Sequence, residues 1–274
     1  MKAAQFDYLR PNDLGDALAA LTKAEGAKLL AGGQSLGPML NLRLARPSLL
    51  VDISRLKSLQ QLKDMSRAWR IGAGVTHARL EDMRGLLPGG EMLCGVAATI
   101  AYRSVRNRGT IGGSLAHADP AGDWPLALAA LGASVNIHGP TPRSMLVPRF
   151  IEGAFTTALA ANEIIETIDV PKLSRTGRYG FYKFCRKTGE FAEASAAAVF
   201  DPESGTARIL LGALRGVPQP LTSLAEAVAK QGQSATSTEA ISQALTQAIG
   251  NLDAVERGMA VAAVTRALMQ VFAP

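Results

Sequence analysis

Two of the three diglycine steps in the sequence follow an apolar stretch and precede a serine. The first is Gly-Gly-Gln-Ser at residues 32–35, and the second is Gly-Gly-Ser at residues 112–114. Glycine lets a backbone approach an anion because no Cβ stands in the way, and successive N–H groups can then donate to phosphate oxygens. A dinucleotide has two phosphates to hold. The pattern therefore predicts a phosphate cradle built from two subdomains, if the two segments converge in space.

The apolar pattern predicts three units along the chain. Residues 1–175 have two α/β subdomains, about 1–55 and 56–175, and residues 176–274 form a smaller α+β domain of strands followed by helices. In the first unit we expect Asn12 to cap the opening helix. In the second we expect a strand over residues 59–62. The predicted fold class is α+β.

Composition excludes several classes of protein. The chain has 47% hydrophobic and 19% charged residues, which is a globular balance. Its net charge of +6 is scattered, which argues against a nucleic-acid footprint. No leader-like or membrane-spanning run is evident. Two distant cysteines, Cys94 and Cys185, offer neither a disulfide pattern nor a metal site, and we expect a cytoplasmic protein.

Two carboxylates follow the second diglycine in a turn that also contains proline and glycine. Asp119 and Asp123 are candidates to bond a ribose hydroxyl or a flavin N–H, as acidic residues do in other dinucleotide sites. The alternative for Asp123 is that it only caps the next helix. His117 precedes the turn and is expected either to approach the cofactor or to have a structural role.

Two motifs point elsewhere. Residues 33–37 match the G-x-S-x-G elbow of serine hydrolases, with Ser35 as nucleophile, but only one or two strands precede it, too few for the usual sheet. Residues 72–77 (Gly-Ala-Gly-Val-Thr-His) begin like a Rossmann fingerprint, but His77 replaces the third glycine, which argues against a nicotinamide site.

Beyond these motifs, the order of several sequence runs resembles the FAD-binding medium subunits of the molybdenum hydroxylase family, of the carbon monoxide dehydrogenase and xanthine dehydrogenase type. The resemblance covers nearly the whole chain. The runs that carry it are residues 31–36, 42–53, 110–123, 162–171 and 182–189.

The resemblance implies an FAD-binding fold of the PCMH/vanillyl-alcohol-oxidase type, with two α/β subdomains and a smaller α+β C-terminal domain. It implies that both diglycine segments hold the pyrophosphate, that Asp119 and Asp123 line the site, and that Ile164, Ile165 and Lys183 lie near the isoalloxazine. The cofactor-binding residues predicted in this way are Ala31, Gly32, Gly33, Gln34, Ser35, Leu36, Thr110, Ile111, Gly112, Gly113, Ser114, His117, Asp119, Asp123, Ile164, Ile165 and Lys183.

The same resemblance implies partners and a role. A large subunit would bind molybdopterin–molybdenum, a small subunit would carry two 2Fe–2S clusters, and two heterotrimers would form a heterohexamer. This chain would pass electrons from the clusters through FAD to an external acceptor. Its two cysteines cannot supply the four thiolates of a cluster. The alternatives that remain open are a serine hydrolase and an interaction subunit without a cofactor.

Overall fold

The N-terminal residues form a parallel three-stranded sheet in the computed structural model, which describes residues 2–273. The strands lie in the order β1-β3-β2. Because all three are parallel, their carboxyl ends meet at one edge. The elements are β1 (Asp7–Leu9), α1 (Leu14–Lys23), β2 (Lys28–Leu30), α2 (Leu36–Asn41) and β3 (Leu49–Asp52).

Helix α1 begins one residue later than predicted. Asp13, not Asn12, is its N-cap, and the Asp13 side chain accepts a hydrogen bond from the N–H of Asp16. The Asn12 side chain instead donates to the Asp16 carboxylate at 3.0 Å. Asn and Asp are about equally good caps, so the sequence did not decide between neighbouring positions.

The second unit is built on an antiparallel five-stranded sheet with the order β4-β5-β10-β6-β7. The predicted strand over residues 59–62 is wrong. Lys57–Gln60 is a 3-10 turn that buries Leu59, and the strand begins at Leu62. A short apolar run does not distinguish a buried turn from a strand. The strands are β4 (Leu62–Asp64), β5 (Ala68–Gly72), β6 (Ser134–His138), β7 (Arg143–Leu146), β8 (Ile151–Gly153), β9 (Thr156–Thr157) and β10 (Ile164–Pro171).

Six helices of this unit cover the sheet and lead to its edges. Helix α7 is buried along its entire length, because it lies between this sheet and the C-terminal unit. The helices are α3 (His77–Asp82), α4 (Glu91–Thr99), α5 (Arg103–Arg106), α6 (Ile111–His117), α7 (Asp123–Leu131) and α8 (Val147–Phe150).

The C-terminal unit is an antiparallel sheet, in the order β11-β12-β13-β14, covered by helices on one face. Along its second strand, Ala196 and Ala198 pack against those helices, whereas Ala197 and Val199 belong to the core of the second unit. This alternation joins the two units. The elements are β11 (Arg178–Phe184), β12 (Ala194–Asp201), β13 (Thr206–Gly212), β14 (Gln219–Pro220), α9 (Thr222–Gln231), α10 (Thr238–Ile249) and α11 (Ala254–Val271), with a 3-10 turn at Gly232–Ala235.

The predicted α+β class is confirmed: a parallel sheet, then two larger antiparallel sheets follow one another along the chain, with helices between and after them. The predicted domain boundaries near residues 55 and 175 fall between these sheets but stay a prediction. One hydrophobic core runs from Ala17 to Leu210 and includes parts of both N-terminal units and one face of the C-terminal sheet. No helix within residues 2–273 is long and apolar enough to span a bilayer.

Candidate functional site

Two glycine-containing segments meet beside the first sheet. We call residues 31–36 the first glycine loop and residues 110–114 the second glycine segment. A Cβ on Gly32 would overlap the carbonyl group of Arg108, and a Cβ on Gly113 would lie 4.0 Å from the Cβ of Ala31. The chain therefore brings the two diglycines together, although 80 residues separate them in the sequence.

The first glycine loop presents backbone donors that the protein does not use. Among the described residues, no acceptor receives a hydrogen bond from the N–H groups of residues 32–36. Its carbonyls, in contrast, are used: Gly33 accepts from the N–H of Gly37 at 2.9 Å, and Gly32 accepts from the Gln34 side chain at 3.1 Å. Gly33 has φ +70°, which favours glycine. A run of free amides in such a turn is suited to an anion.

The second glycine segment starts helix α6, and its backbone donors are occupied. Thr110 is the N-cap, and its Oγ1 accepts from the N–H of Gly113 at 3.1 Å. The two N–H groups between them donate to carbonyls of residues 73–75 at 2.9 and 3.0 Å. The expectation that both diglycines present free amides is therefore wrong for the second. Whether its residues contact a cofactor stays a prediction.

The glycines of the second segment are needed for close packing. A Cβ on Gly112 would overlap the Cβ of Ala73 and lie 2.8 Å from its Cα. Ala73 belongs to residues 72–77, the segment that resembles a dinucleotide-binding fingerprint but lacks its third glycine. The same run donates a hydrogen bond from the His77 N–H to the Gly109 carbonyl at 3.0 Å. The sequence did not predict this contact, although small residues in both segments are what allow it.

His77 is a buried neutral histidine beneath the second glycine segment. Its Nδ1 accepts from the indole N–H of Trp124 at 3.0 Å, and the imidazole is only 6% exposed. Burial, and to a smaller extent the charge of Arg106, lowers the pKa of His77 to about 4. A neutral imidazole with Nδ1 as acceptor supports the segment and carries no charge at neutral pH.

The turn at residues 119–122 leads to a buried ion pair. Asp119 accepts from the N–H of Ala121 at 2.9 Å. Asp123 is the first residue of α7 and not its cap; its Oδ2 accepts from Lys183 Nζ at 2.9 Å. The Lys183 ammonium also donates to the Thr99 carbonyl at 3.0 Å. The pair therefore ties the C-terminal unit to the second unit.

Asp123 has one oxygen without a partner. Its Oδ1 is buried and accepts no hydrogen bond among the described residues. The two side chains of the pair are only 5% and 8% exposed, and burial raises the pKa of Asp123 although Lys183 opposes this. A buried carboxylate oxygen without a donor is costly. It is therefore a suitable acceptor for an N–H or O–H group of a bound molecule.

The remaining predicted cofactor-binding residues, His117, Ile164 and Ile165, differ in how deeply they are buried. His117 is half-buried, and its ring lies 5.1 Å from that of Phe155, which has the left-handed φ of +55° and is 60% exposed. Ile164 and Ile165 start β10 with only 1% and 4% exposure, as core residues. Their proximity to an isoalloxazine stays a prediction.

The geometry around Ser35 does not resemble a hydrolase site. Ser35 has ordinary helical φ and ψ of −102° and −50°, not the strained turn of a nucleophile elbow. None of the three histidines bonds to Ser35: His77 bonds to Trp124, His117 contacts Phe155, and His138 lies 4.0 Å from Glu166. Ser35 therefore has no general base in the described chain.

The residues present fit FAD. The first glycine loop supplies free amides and the hydroxyl of Ser35, and the second glycine segment supplies the hydroxyl of Ser114; neither hydroxyl is bonded within residues 2–273. The Asp123 oxygen supplies an unused acceptor in the second unit. Among the described residues, no group of three His, Cys, Asp or Glu side chains is arranged to hold a metal ion.

Comparisons with known proteins agree with this geometry. Residues 4–173 match the family described as the FAD binding domain in molybdopterin dehydrogenase. The nicotine 6-hydroxylase medium subunit of Paenarthrobacter nicotinovorans is 36% identical over 220 residues, which cover 79% of this chain and 77% of that protein. The carbon monoxide dehydrogenase medium chain of Hydrogenophaga pseudoflava is 36% identical over 218 residues, covering 78% and 75%.

Solved structures extend the likeness to the C-terminal unit. A Cu,Mo carbon monoxide dehydrogenase in its cyanide-inactivated form matches with a TM-score of 0.91 at 30% identity, covering 99% of each chain. Quinoline 2-oxidoreductase from Pseudomonas putida 86 matches with a TM-score of 0.89 at 29% identity, covering 99% of this chain and 98% of that one. The chain therefore belongs to the FAD-binding medium subunits of the molybdenum hydroxylase family and is an oxidoreductase subunit with an FAD-binding domain.

Proposed function

We propose that this chain carries FAD in a heteromeric molybdenum hydroxylase and passes electrons from iron–sulfur clusters of a partner subunit to an external acceptor. The observation that carries the proposal is the run of unused N–H groups at residues 32–36, closed on one side by the second glycine segment. Free amides directed at one place hold the pyrophosphate of a dinucleotide without a charged side chain. Bound FAD supplies the redox chemistry.

The rest of the site orients the cofactor. The Oδ1 of Asp123 accepts a hydrogen bond from a ribityl hydroxyl or a ring N–H of the flavin, which removes the cost of its missing partner. Lys183 fixes the carboxylate from the C-terminal unit. Asp119, His117 and the start of β10 line the same side in this proposal. The buried pair thus excludes water from the end of the site.

The partners follow from the family and the cysteines. This chain has two cysteines, of which Cys94 is buried, and they cannot ligate an iron–sulfur cluster. Two 2Fe–2S clusters then belong to a small subunit, and molybdopterin–molybdenum to a large one. Relatives are named as medium subunits or chains, which supports a multi-subunit complex. We propose a cytoplasmic heterohexamer of two heterotrimers.

The proposal is tested on the complex purified through a tag on this chain. We expect a yellow component that is released on denaturation and identified as FAD, one per chain. Gel analysis should show two further subunits, and the native complex should have iron–sulfur absorbance. A correctly folded chain that neither retains nor takes up FAD would refute the proposal and reopen the reading as an interaction subunit.

A further inference from the structure

Helices α4 and α5 are joined by a short turn with a left-handed residue in it. Residues 99–102, which we call the interhelical turn, run from the end of α4 at Thr99 to the cap of α5 at Tyr102. Between them, Ala101 has a φ of +42°. A residue with a Cβ adopts that conformation at a cost of about 1–2 kcal/mol. Contacts from other residues must therefore hold the turn.

Arg106 of α5 supplies those contacts. Its Nη1 donates to the Ile100 carbonyl and to the Ala101 carbonyl, each at 2.9 Å. Its Nε and Nη2 donate to the two carboxylate oxygens of Glu81 at 2.8 and 3.0 Å. The Arg106 side chain is only 12% exposed. The planar guanidinium thus fixes two carbonyls of the turn and is itself fixed by a bidentate ion pair.

The charges around Arg106 are balanced inside the protein. Arg103 donates to Glu81 at 2.7 Å and to the two carboxylate oxygens of Asp82 at 2.7 and 2.6 Å. Two arginines therefore face two carboxylates, and the cluster has no net charge with which to attract a phosphate. Arg106 is thus suited to position the backbone and not to bind an anion.

The interhelical turn contacts the C-terminal unit at two residues. The Thr99 carbonyl accepts a hydrogen bond from Lys183 Nζ, near the end of β11, at 3.0 Å. A Cβ on Gly189, further along the same unit, would lie 2.9 Å from the carbonyl oxygen of Ala101. That oxygen is one of the two that Arg106 holds. A shift of the turn would therefore move the backbone acceptor of Lys183.

Lys183 needs that acceptor because its side chain is buried. The side chain is only 8% exposed, and its acceptors in the described chain are the Thr99 carbonyl and Asp123 Oδ2. A buried ammonium has lost its water and needs protein acceptors for its N–H groups. If the Thr99 carbonyl moved, Lys183 would lose a bond or move with it, and the Asp123 carboxylate would follow. The unpartnered Oδ1 of Asp123 would then no longer be fixed.

We propose that Arg106 is a positioning residue for the flavin end of the cofactor site. Arg106 fixes the interhelical turn, the turn holds Lys183, and Lys183 holds the carboxylate that accepts from the flavin. The inference rests on the proposed function, because it takes FAD as the molecule that meets Asp123. In this assignment Arg106 itself contacts no cofactor atom.

The test is a double-mutant cycle on FAD affinity, which separates an effect through Lys183 from a general loss of structure. Apo-protein prepared from the full chain is titrated with FAD by flavin fluorescence. The proteins are the wild type, Arg106→Gln, Lys183→Met and the double variant. The control is Arg70→Gln. Arg70 also forms a bidentate pair, with both Asp169 oxygens at 2.7 Å, but among the described residues it donates to none in the interhelical turn.

We expect Arg106→Gln and Lys183→Met each to weaken FAD binding by about tenfold, and the double variant also by about tenfold, because both substitutions remove the same support. Arg70→Gln should bind FAD like the wild type. A double variant weakened by about a hundredfold, the product of two independent losses, would overturn the inference. Wild-type affinity in either single variant, or an equal loss in Arg70→Gln, would overturn it too.

Thermal melts of the apo-proteins show whether each variant folds. If Arg106→Gln or Lys183→Met does not fold, Arg106→Lys or Lys183→Gln takes its place in the cycle, because each keeps a hydrogen-bond donor without the original geometry. Failure of the wild-type chain to bind FAD would instead overturn the proposed function.

Discussion

The two diglycine segments share the same dipeptide and a serine that follows it, yet their glycines have different structural roles. In the first glycine loop, Gly33 adopts a left-handed conformation and the N–H groups of residues 32–36 are free. In the second glycine segment, the glycines are helical and their N–H groups are bonded to Thr110 and residues 73–75. Only the first has the free amides that a phosphate cradle needs.

The difference shows that glycine is selected for two separate physical reasons. One is backbone conformation, as at Gly33. The other is close approach of two chains, as at Gly112, whose missing Cβ makes room for Ala73. The second glycine segment thus packs against the first glycine loop and positions it. Substitutions in the second segment should therefore lower folding stability more than they weaken cofactor binding.

The largest expected effect is a fold defect from the second segment. Gly112→Val places a side chain where Ala73 already lies, and we expect the free energy of unfolding to fall by about 4 kcal/mol. The measurement is urea unfolding without FAD. Gly37→Ala is the control, because a Cβ there meets no atom within 4 Å. Equal stability of both variants would contradict the packing role of Gly112.

The second-largest expected effect is a loss of folding stability at acid pH, because His77 lies under the second glycine segment. The pKa of His77 is about 4 in the folded protein and 6.5 in an unfolded chain. Above pH 6.5 the imidazole is neutral in both states, so the folded protein has no cost for burying a charged histidine. Stability is lost as the pH falls from 6.5 towards 4, by about 3 kcal/mol in total. We expect unfolding midpoints to fall in that window.

His77→Asn is the matched control for this pH dependence. Its amide oxygen can still accept from Trp124, but it does not titrate. We expect this variant to lose much less stability than the wild type between pH 6.5 and pH 4. A variant with the wild-type pH profile would assign the effect to other groups.

Substitution of one glycine in each segment should separate binding from folding. In Gly33→Ala the alanine either keeps the left-handed φ of +70°, at a cost of about 1–2 kcal/mol of conformational free energy, or relaxes to a negative φ. Relaxation would move the N–H groups of the first glycine loop. We expect Gly33→Ala to weaken FAD binding at least about tenfold. Gly113→Ala, whose Cβ would lie 2.8 Å from Thr110 Oγ1, should lower stability with a smaller change in FAD affinity. Parallel fluorescence titrations and thermal melts measure both, and identical behaviour would remove the distinction.

The smallest effect concerns the hydroxyls at the two helix starts. Thr110→Val loses the cap on Gly113 and should cost about 1 kcal/mol without FAD. Ser35 makes no cap bond, so Ser35→Ala should leave the apo-protein's stability unchanged and weaken only FAD binding. Chemical unfolding with and without FAD checks this, and a destabilised apo Ser35→Ala would contradict it.

Much of the fold was predictable because periodicity and turn residues are local signals. Apolar spacing by itself predicts a helix over residues 238–249 and strands over residues 28–30 and 134–138, and these are the observed bounds of α10, β2 and β6. Leu59 was misassigned because a buried apolar residue in a 3-10 turn gives the same local pattern as a strand. The cap at Asp13 was missed by one residue for a similar reason.

The sequence by itself determined the fold class, the family and the two diglycine segments, because glycine, serine and apolar spacing are written in the chain. Only the tertiary structure decided that the two segments meet, which diglycine keeps its amides free, and that Asp123 pairs with Lys183. Hydrogen-bond occupancy and distance between remote residues depend on how sheets and helices pack, and no local pattern encodes them.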